Sequence, residues 1–228
     1  NNPDDDGDGL CDEWELNGVD IDGDGTVDLP IHEAPYNANM SRKDLFVEID
    51  YMDCAVGASA GACQGTDAPR GVSNTAYATH NHDPRAGLAS DSLPAVVAAF
   101  AAAPVDNPDG STGITIHPMV DEAMPEVTPI RFDEDNTSTT TQFSELKWGP
   151  QGTTCEGYFG TAAERASANC EAIRDARHQV FRYAIMGHQR ANSDGTISSS
   201  SGIADLPGDD FLVTLPPSWQ VSSHQTAE

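Results

Sequence analysis

Asp4, Asp6, Asp8, Asp12 and Glu15 occupy positions one, three, five, nine and twelve of the stretch DDDGDGLCDEWE, with Gly9 at position six. This is the D-x-[DN]-x-[DN]-G-x5-E spacing of a calcium loop, met at every defined position. Calcium is a hard cation that takes six to eight oxygens, so a short loop must wrap around it. Alternate residues point inward and offer the carboxylates of Asp4, Asp6 and Asp8. Gly9 permits the sharp turn, since it has no Cβ to clash. The Leu10 carbonyl donates at position seven, Asp12 acts through water, and Glu15 closes the site with two oxygens.

A second loop, DIDGDGTVD, repeats the register with Asp20, Asp22, Asp24, Gly25, Thr26 at the carbonyl position, and Asp28. Its twelfth place is Ile31, whose side chain cannot ligate; Glu33 substitutes if the loop is longer. The second site is therefore expected to be weaker than the first, or to share ligands with it. Only Asn1, Asn2 and Pro3 precede the first loop. The expectation is an EF-type loop without a paired EF-hand domain, and no sensor-like helix opening.

The remaining composition narrows the class. The 228 residues carry 37 acids against 11 bases, a formal charge of −26. Such a surface repels phosphate backbones and anionic bilayers, which argues against nucleic-acid and membrane partners. No apolar run approaches transmembrane length. A chain of this size can bury roughly 70% of its unfolded surface, so its core need not depend on metal. Of the five cysteines, Cys54 with Cys63 and Cys155 with Cys170 suggest themselves as close pairs, though spacing does not fix the connectivity, and Cys11 is left over. The absence of an initial methionine fits a processed chain, and loops of this kind load where calcium is millimolar. The expected location is extracellular.

The elements that must hold these loops follow in order. LPIHEAPYNANMSRK reads as a linker and KDLFVEIDYMD as a largely buried strand. The segment between Cys54 and Pro84 is loop-like. DSLPAVVAAFAAAPV is a helix capped by Asp91 or Ser92, with Pro94 in its first turn and Pro104 at its end. GITIHPMVDE is a second strand, and residues 133–141 form an exposed loop. Ala162 to Tyr183 is mostly helical and runs into FRYAIMGHQ, a third strand. SDGTISSSSG is a flexible connector, and FLVTL is a fourth strand. Strands alternating with helices imply an α/β or α+β fold.

As an ordered set, the acidic loops, KDLFVEIDYMD, NPDGSTGITIHPMVDE, FRYAIMGHQ and SGIADLPGDDFLVTL resemble secreted bacterial and archaeal zinc peptidases of the metzincin type. The resemblance covers most of the chain from Asp4 to Leu215. It implies an N-terminal segment of EF-type or thrombospondin-type calcium loops over residues 1–35. A metzincin-like N-terminal subdomain follows over 36–228, a twisted mixed sheet of four or five strands backed by helices. It also implies an extended peptide held along the sheet edge by strand addition. In such peptidases a helix carrying H-E-x-x-H-x-x-G-x-x-H follows the FLVTL strand and supplies the zinc ligands and general base. No H-E-x-x-H occurs in this sequence, which ends in SSHQTAE; at His32–Glu33 the second histidine position is Tyr36. No catalytic residue is assigned, and zinc is expected only with such a helix downstream. One or two calcium ions are the implied cofactors. The competing reading is a non-enzymatic calcium-dependent module for adhesion, self-assembly or a filament.

Other candidates carry less. His80 and His82 form H-x-H in a loop and could bind zinc or copper, but no third ligand is identifiable, so they read as exposed loop histidines. His188 either lines a cleft or is satisfied at a strand end. Asp50 and Asp53 could act as paired carboxylates, cap a turn or ligate a further calcium. The same calcium reading extends to Asp106, Asp109, Asp121 and Glu122. Neither a G-x-S-x-G nucleophile nor a phosphate loop occurs.

Overall fold

A computed structural model describes residues 3–53, 55–56, 82–85, 92–127, 129–132, 142–192, 194–205 and 208–214. The Cys54–Cys63 pairing, the 133–141 loop, Asp91, His80 and Leu215 lie outside the described residues. The elements are α1 (Asp12–Asn17), β1 (Asp44–Asp53), α2 (Ser92–Ala101), β2 (Thr115–Pro125), β3 (Ile130–Arg131), α3 (Gln142–Trp148), α4 (Ala162–Arg165), α5 (Cys170–Val180), β4 (Phe181–Gly187), β5 (Arg190–Ala191), β6 (Gly202–Ala204) and β7 (Asp210–Thr214). A five-stranded mixed sheet has the order β2-β1-β4-β7-β6, and β3 with β5 forms a separate pair. In the large sheet β7 runs parallel to β4 and antiparallel to β6, which sits at the edge. The fold is thus mixed α/β, a sheet backed by helices.

The chain divides into two compact units, and β1, β2 and β4 each contribute residues to both. The first comprises Asn1–Glu48, Leu93–Met119 and Gly160–Arg182. Its core packs Phe46 against Phe181 (5.4 Å between centroids), with Tyr36 edge-on to both and His117 stacked on Phe46 at 4.3 Å. Helix α5 turns Ile173, Ala176, Arg177 and Val180 inward, an i, i+3, i+4, i+7 stripe. The buried Arg177 is matched by charge: it pairs with the buried Glu48, reaches Glu164 at 3.1 Å, and lies over Phe181. Removing one partner of such a pair strands a buried charge, at a cost of about 3–5 kcal/mol.

The mostly helical stretch expected over 162–183 holds two helices, α4 and α5, and its last residues belong to the sheet. A capping box between Thr161 and Glu164 starts α4, and turn residues Ser167 and Asn169 interrupt the path before α5. The helix ends at Val180 because β-prone Phe181 and Tyr183 take extended geometry and join the sheet.

The second unit comprises Ile49–Ser92, Val120–Phe159 and Tyr183–Glu228. Strand β4 registers Tyr183 to Gly187 against Asp210 to Thr214 of β7. Gly187 packs closely there: a Cβ would meet Ile130 Cδ1 at 2.6 Å, so that side chain would have to shift. Lys147 is 1% exposed, 2.5 Å from Asp210 and enclosed by the Trp148, Phe159 and Tyr183 rings. The connector expected at 193–202 is partly ordered: Ala191 bridges Ile197, and Gly202 begins β6. Cys155 and Cys170 are both disulfide-bonded, whereas Cys11 is not in a disulfide. Among the described residues, no helix is long and apolar enough to cross a membrane.

Candidate metal centre

In the first loop Asp4, Asp6, Asp8 and Asp12 are each held by backbone amides, Asp4 through both of its oxygens. Asp4 accepts from Gly7 N (2.8 Å) and Gly9 N (3.2 Å), Asp6 from Asp8 N (3.1 Å), Asp8 from Leu10 N (2.8 Å) and Asp12 from Asp5 N (2.9 Å). Such Asx turns fold the loop on itself, and Gly9 takes the positive φ of +99° that the turn demands. Helix α1 follows directly and carries Glu15 back toward the loop; its first turn closes from Glu15 N to Cys11 O at 3.3 Å.

Oxygens of Asp4, Asp6 and Asp8 lie within 4.8 Å of one another, and so do those of Asp8, Glu15 and Asp44. Glu15 is 4% exposed, and both its carboxylate oxygens are buried without a hydrogen-bond partner, as is Asp6 Oδ2. Burial, then Asp8, Asp6, Asp44 and Asp12, push the Glu15 carboxyl up to about 8. Burial and the Asp8 charge push Asp6 up to about 6, and burial raises Asp8 as well. A buried polar group with no partner costs free energy, and crowded like charges add to that cost. A multivalent cation among these oxygens removes both penalties.

Asp44 was not legible from the loop spacing, for it is the first residue of β1. Its amide donates to Asp8 Oδ2 at 2.7 Å, its own carboxylate accepts from Asn39 N at 2.9 Å, and His117 Nε2 is 2.5 Å away. Only the tertiary fold brings it to the loop.

The second loop repeats the cradle. Asp20 accepts from Gly23 N and Gly25 N (2.8 and 2.9 Å), Asp22 from Asp24 N (3.1 Å), Asp24 from Thr26 N (2.7 Å) and Asp28 from Ile21 N (3.0 Å). Asp20, Asp22 and Asp28 converge within 4.8 Å, and Asp24 is outside that trio. The loop is closed at its base by paired hydrogen bonds between Val19 and Leu29. Its twelfth residue, Ile31, is fully buried in the core. Glu33 is exposed and sits 3.4 Å from His32 instead.

Of the other acidic candidates, Asp109, Asp50 and Asp53 have structural partners. Asp109 binds Arg42 (2.6 Å) and Ser111 N (2.8 Å), and the hydroxyl and guanidinium hold its carboxyl down at about 2. Asp50 accepts from Tyr183 OH (2.7 Å) and Glu122 N (3.1 Å). Asp53 caps a turn through Ala55 N at 2.7 Å. Comparisons with family models, curated proteins and solved structures return no match to this chain.

Proposed function

We propose that this chain is a calcium-binding extracellular protein whose first acidic loop holds a structural ion. The ligands are Asp4, Asp6, Asp8, the Leu10 carbonyl, Asp12 through water and Glu15, with Asp44 as a further carboxylate. One observation carries the reading: Glu15 is buried with both oxygens unpartnered, beside Asp8 and Asp44. An all-oxygen set of more than six donors suits calcium better than the smaller, strictly octahedral magnesium. The second loop, lacking a closing acid, is a weaker site. The bound ion offsets part of the −26 charge and stabilises the fold by mass action. The disulfide-bonded cysteines are at home in the oxidising, calcium-rich exterior.

The wider role follows from the metzincin-like order of segments. The antiparallel strand β6 stands at the edge of the sheet among the described residues, the place where an extended peptide adds as a further strand. The chain so read is the calcium-stabilised, peptide-presenting part of a peptidase-like fold. It is not expected to show chelator-sensitive cleavage of a casein-like substrate by itself.

Calcium titration by calorimetry, paired with thermal melts in calcium and in chelator, tests the reading. At least one equivalent should bind, with a melting temperature higher in calcium. An unchanged melt would sink the structural-calcium role.

A further inference from the structure

A second constellation lies within the other unit and has different chemistry. His82, expected to be an exposed loop histidine, has a side chain only 6% exposed; so has Glu126, and His188 is 2% exposed. One ring nitrogen of each histidine and one Glu126 oxygen lie within 4.8 Å of one another. His82 Nε2 is 3.6 Å from Glu126 Oε2, and the two imidazole rings are tilted with centroids 5.5 Å apart.

The backbone places each of the three. His82 N donates to Met52 O at 2.9 Å, near the end of β1. Glu126 directly follows the last residue of β2, and its neighbour Val127 is held by its amide to Met52 Sδ at 3.4 Å. His188 directly follows the last residue of β4, and its neighbour Gln189 accepts from Ile130 N at 2.8 Å. Three groups from different stretches of chain therefore meet where neighbouring strands β2, β1 and β4 end. Open α/β sheets gather their ligands in the crevice outside the carboxyl ends of the strands.

We propose that His82, Glu126 and His188 bind a divalent transition metal of the zinc class, in a site separate from the calcium loops. Imidazole nitrogen suits zinc and its neighbours in the first transition row, whereas calcium prefers oxygen alone. Two histidines and one carboxylate form a three-ligand zinc set that leaves a position open for water or substrate. Bonds of about 2.0–2.1 Å in a tetrahedron set ligand atoms roughly 3.3 Å apart, close to the separation of His82 from Glu126. A His–Glu ion pair alone would need only one imidazole. The site uses none of the calcium ligands, so it stands whether or not the calcium assignment holds.

The test uses the full chain, stripped by chelator and reloaded with millimolar calcium. Zinc titration by calorimetry should add one equivalent, and cobalt in its place should give the visible bands of a four- or five-coordinate nitrogen–oxygen site. Nitrogen-15 NMR of the wild-type imidazoles should show the His82 and His188 rings shifting together on zinc addition. H82A, H188A and the near-isosteric E126Q should each weaken zinc at least 100-fold. E126Q should leave the calcium-dependent melt in place. Zinc binding unchanged in an H82A/H188A double variant would overturn the proposal. So would a wild-type chain in which those two imidazoles do not respond to zinc.

Discussion

The two acidic loops share a backbone cradle amide for amide, with Asp4 matching Asp20, Gly9 matching Gly25 and Asp12 matching Asp28. They differ in what closes them. At the twelfth position the first loop buries a carboxylate with no protein partner, and the second buries Ile31 in the apolar core. The first is also joined from outside by Asp44, whose amide and carboxylate both face it. Identical local turn chemistry thus meets two different closures: a buried carboxylate without a protein partner in one loop, hydrophobic packing in the other. The turn geometry belongs to the D-x-D-G sequence itself, and the closing residue decides what the turn is for.

The sharpest break in this comparison comes at the twelfth positions. Ile31→Ala should destabilise the protein by about 2–5 kcal/mol, equally with and without calcium, because it opens a cavity. Denaturant melts in both conditions check this; rescue by calcium would mean that Ile31 belongs to an ion site after all. Asp8→Ala should instead remove about 3 kcal/mol only when calcium is present, as expected for losing an ion at roughly a hundredfold excess over its dissociation constant. That corresponds to a fall of about 5–10 °C in the melting temperature, matching chelation of the unaltered protein.

Acidity separates the loops next. In chelator, folded Glu15 holds its proton to about pH 8, whereas its ordinary value is 4.5. The folded state binds the extra proton, so stability of the chelated protein should fall as pH rises from about 4.5 to 8. Glu15 by itself contributes a slope of at most about 1.4 kcal/mol per pH unit. Glu15→Gln should flatten this slope. Calcium should flatten it too, because the ion takes the proton's place. Smaller still, Asp44→Asn should weaken calcium binding about tenfold, read by calorimetry, while Asp20→Asn should move the melt by less than about 1 kcal/mol. If Asp20→Asn matches Asp8→Ala, the ranking of the two loops is wrong.

Much of the fold was legible because its signals are local. Alternating apolar residues in KDLFVEIDYMD gave β1, and the alanine-rich stretch after Pro94 gave α2. The acidic spacing likewise drew out both cradles. What escaped depends on distance or brevity. Strand β6 is three residues beside a serine run, and β3 and β5 are two residues each, too short to show a period. Asp44 joins the first loop only through the tertiary fold. His82 reads as loop because its burial depends on residues far along the chain. The buried Glu48–Arg177 pair had no sequence signature either, since each looks like a surface charge until α5 meets β1.

The chain contains only two lysines, Lys43 and Lys147. Lys147 is sealed among three aromatic rings and Asp210, so amine-directed reagents reach it only when the fold opens. Lys43 is half-buried and immediately precedes Asp44, and its charge is felt at Asp6. Of the two lysine amines, the native protein therefore presents one to covalent labelling, beside the first acidic loop. A fluorophore attached there reports on that loop, and the appearance of a second labelled lysine counts the molecules that have unfolded.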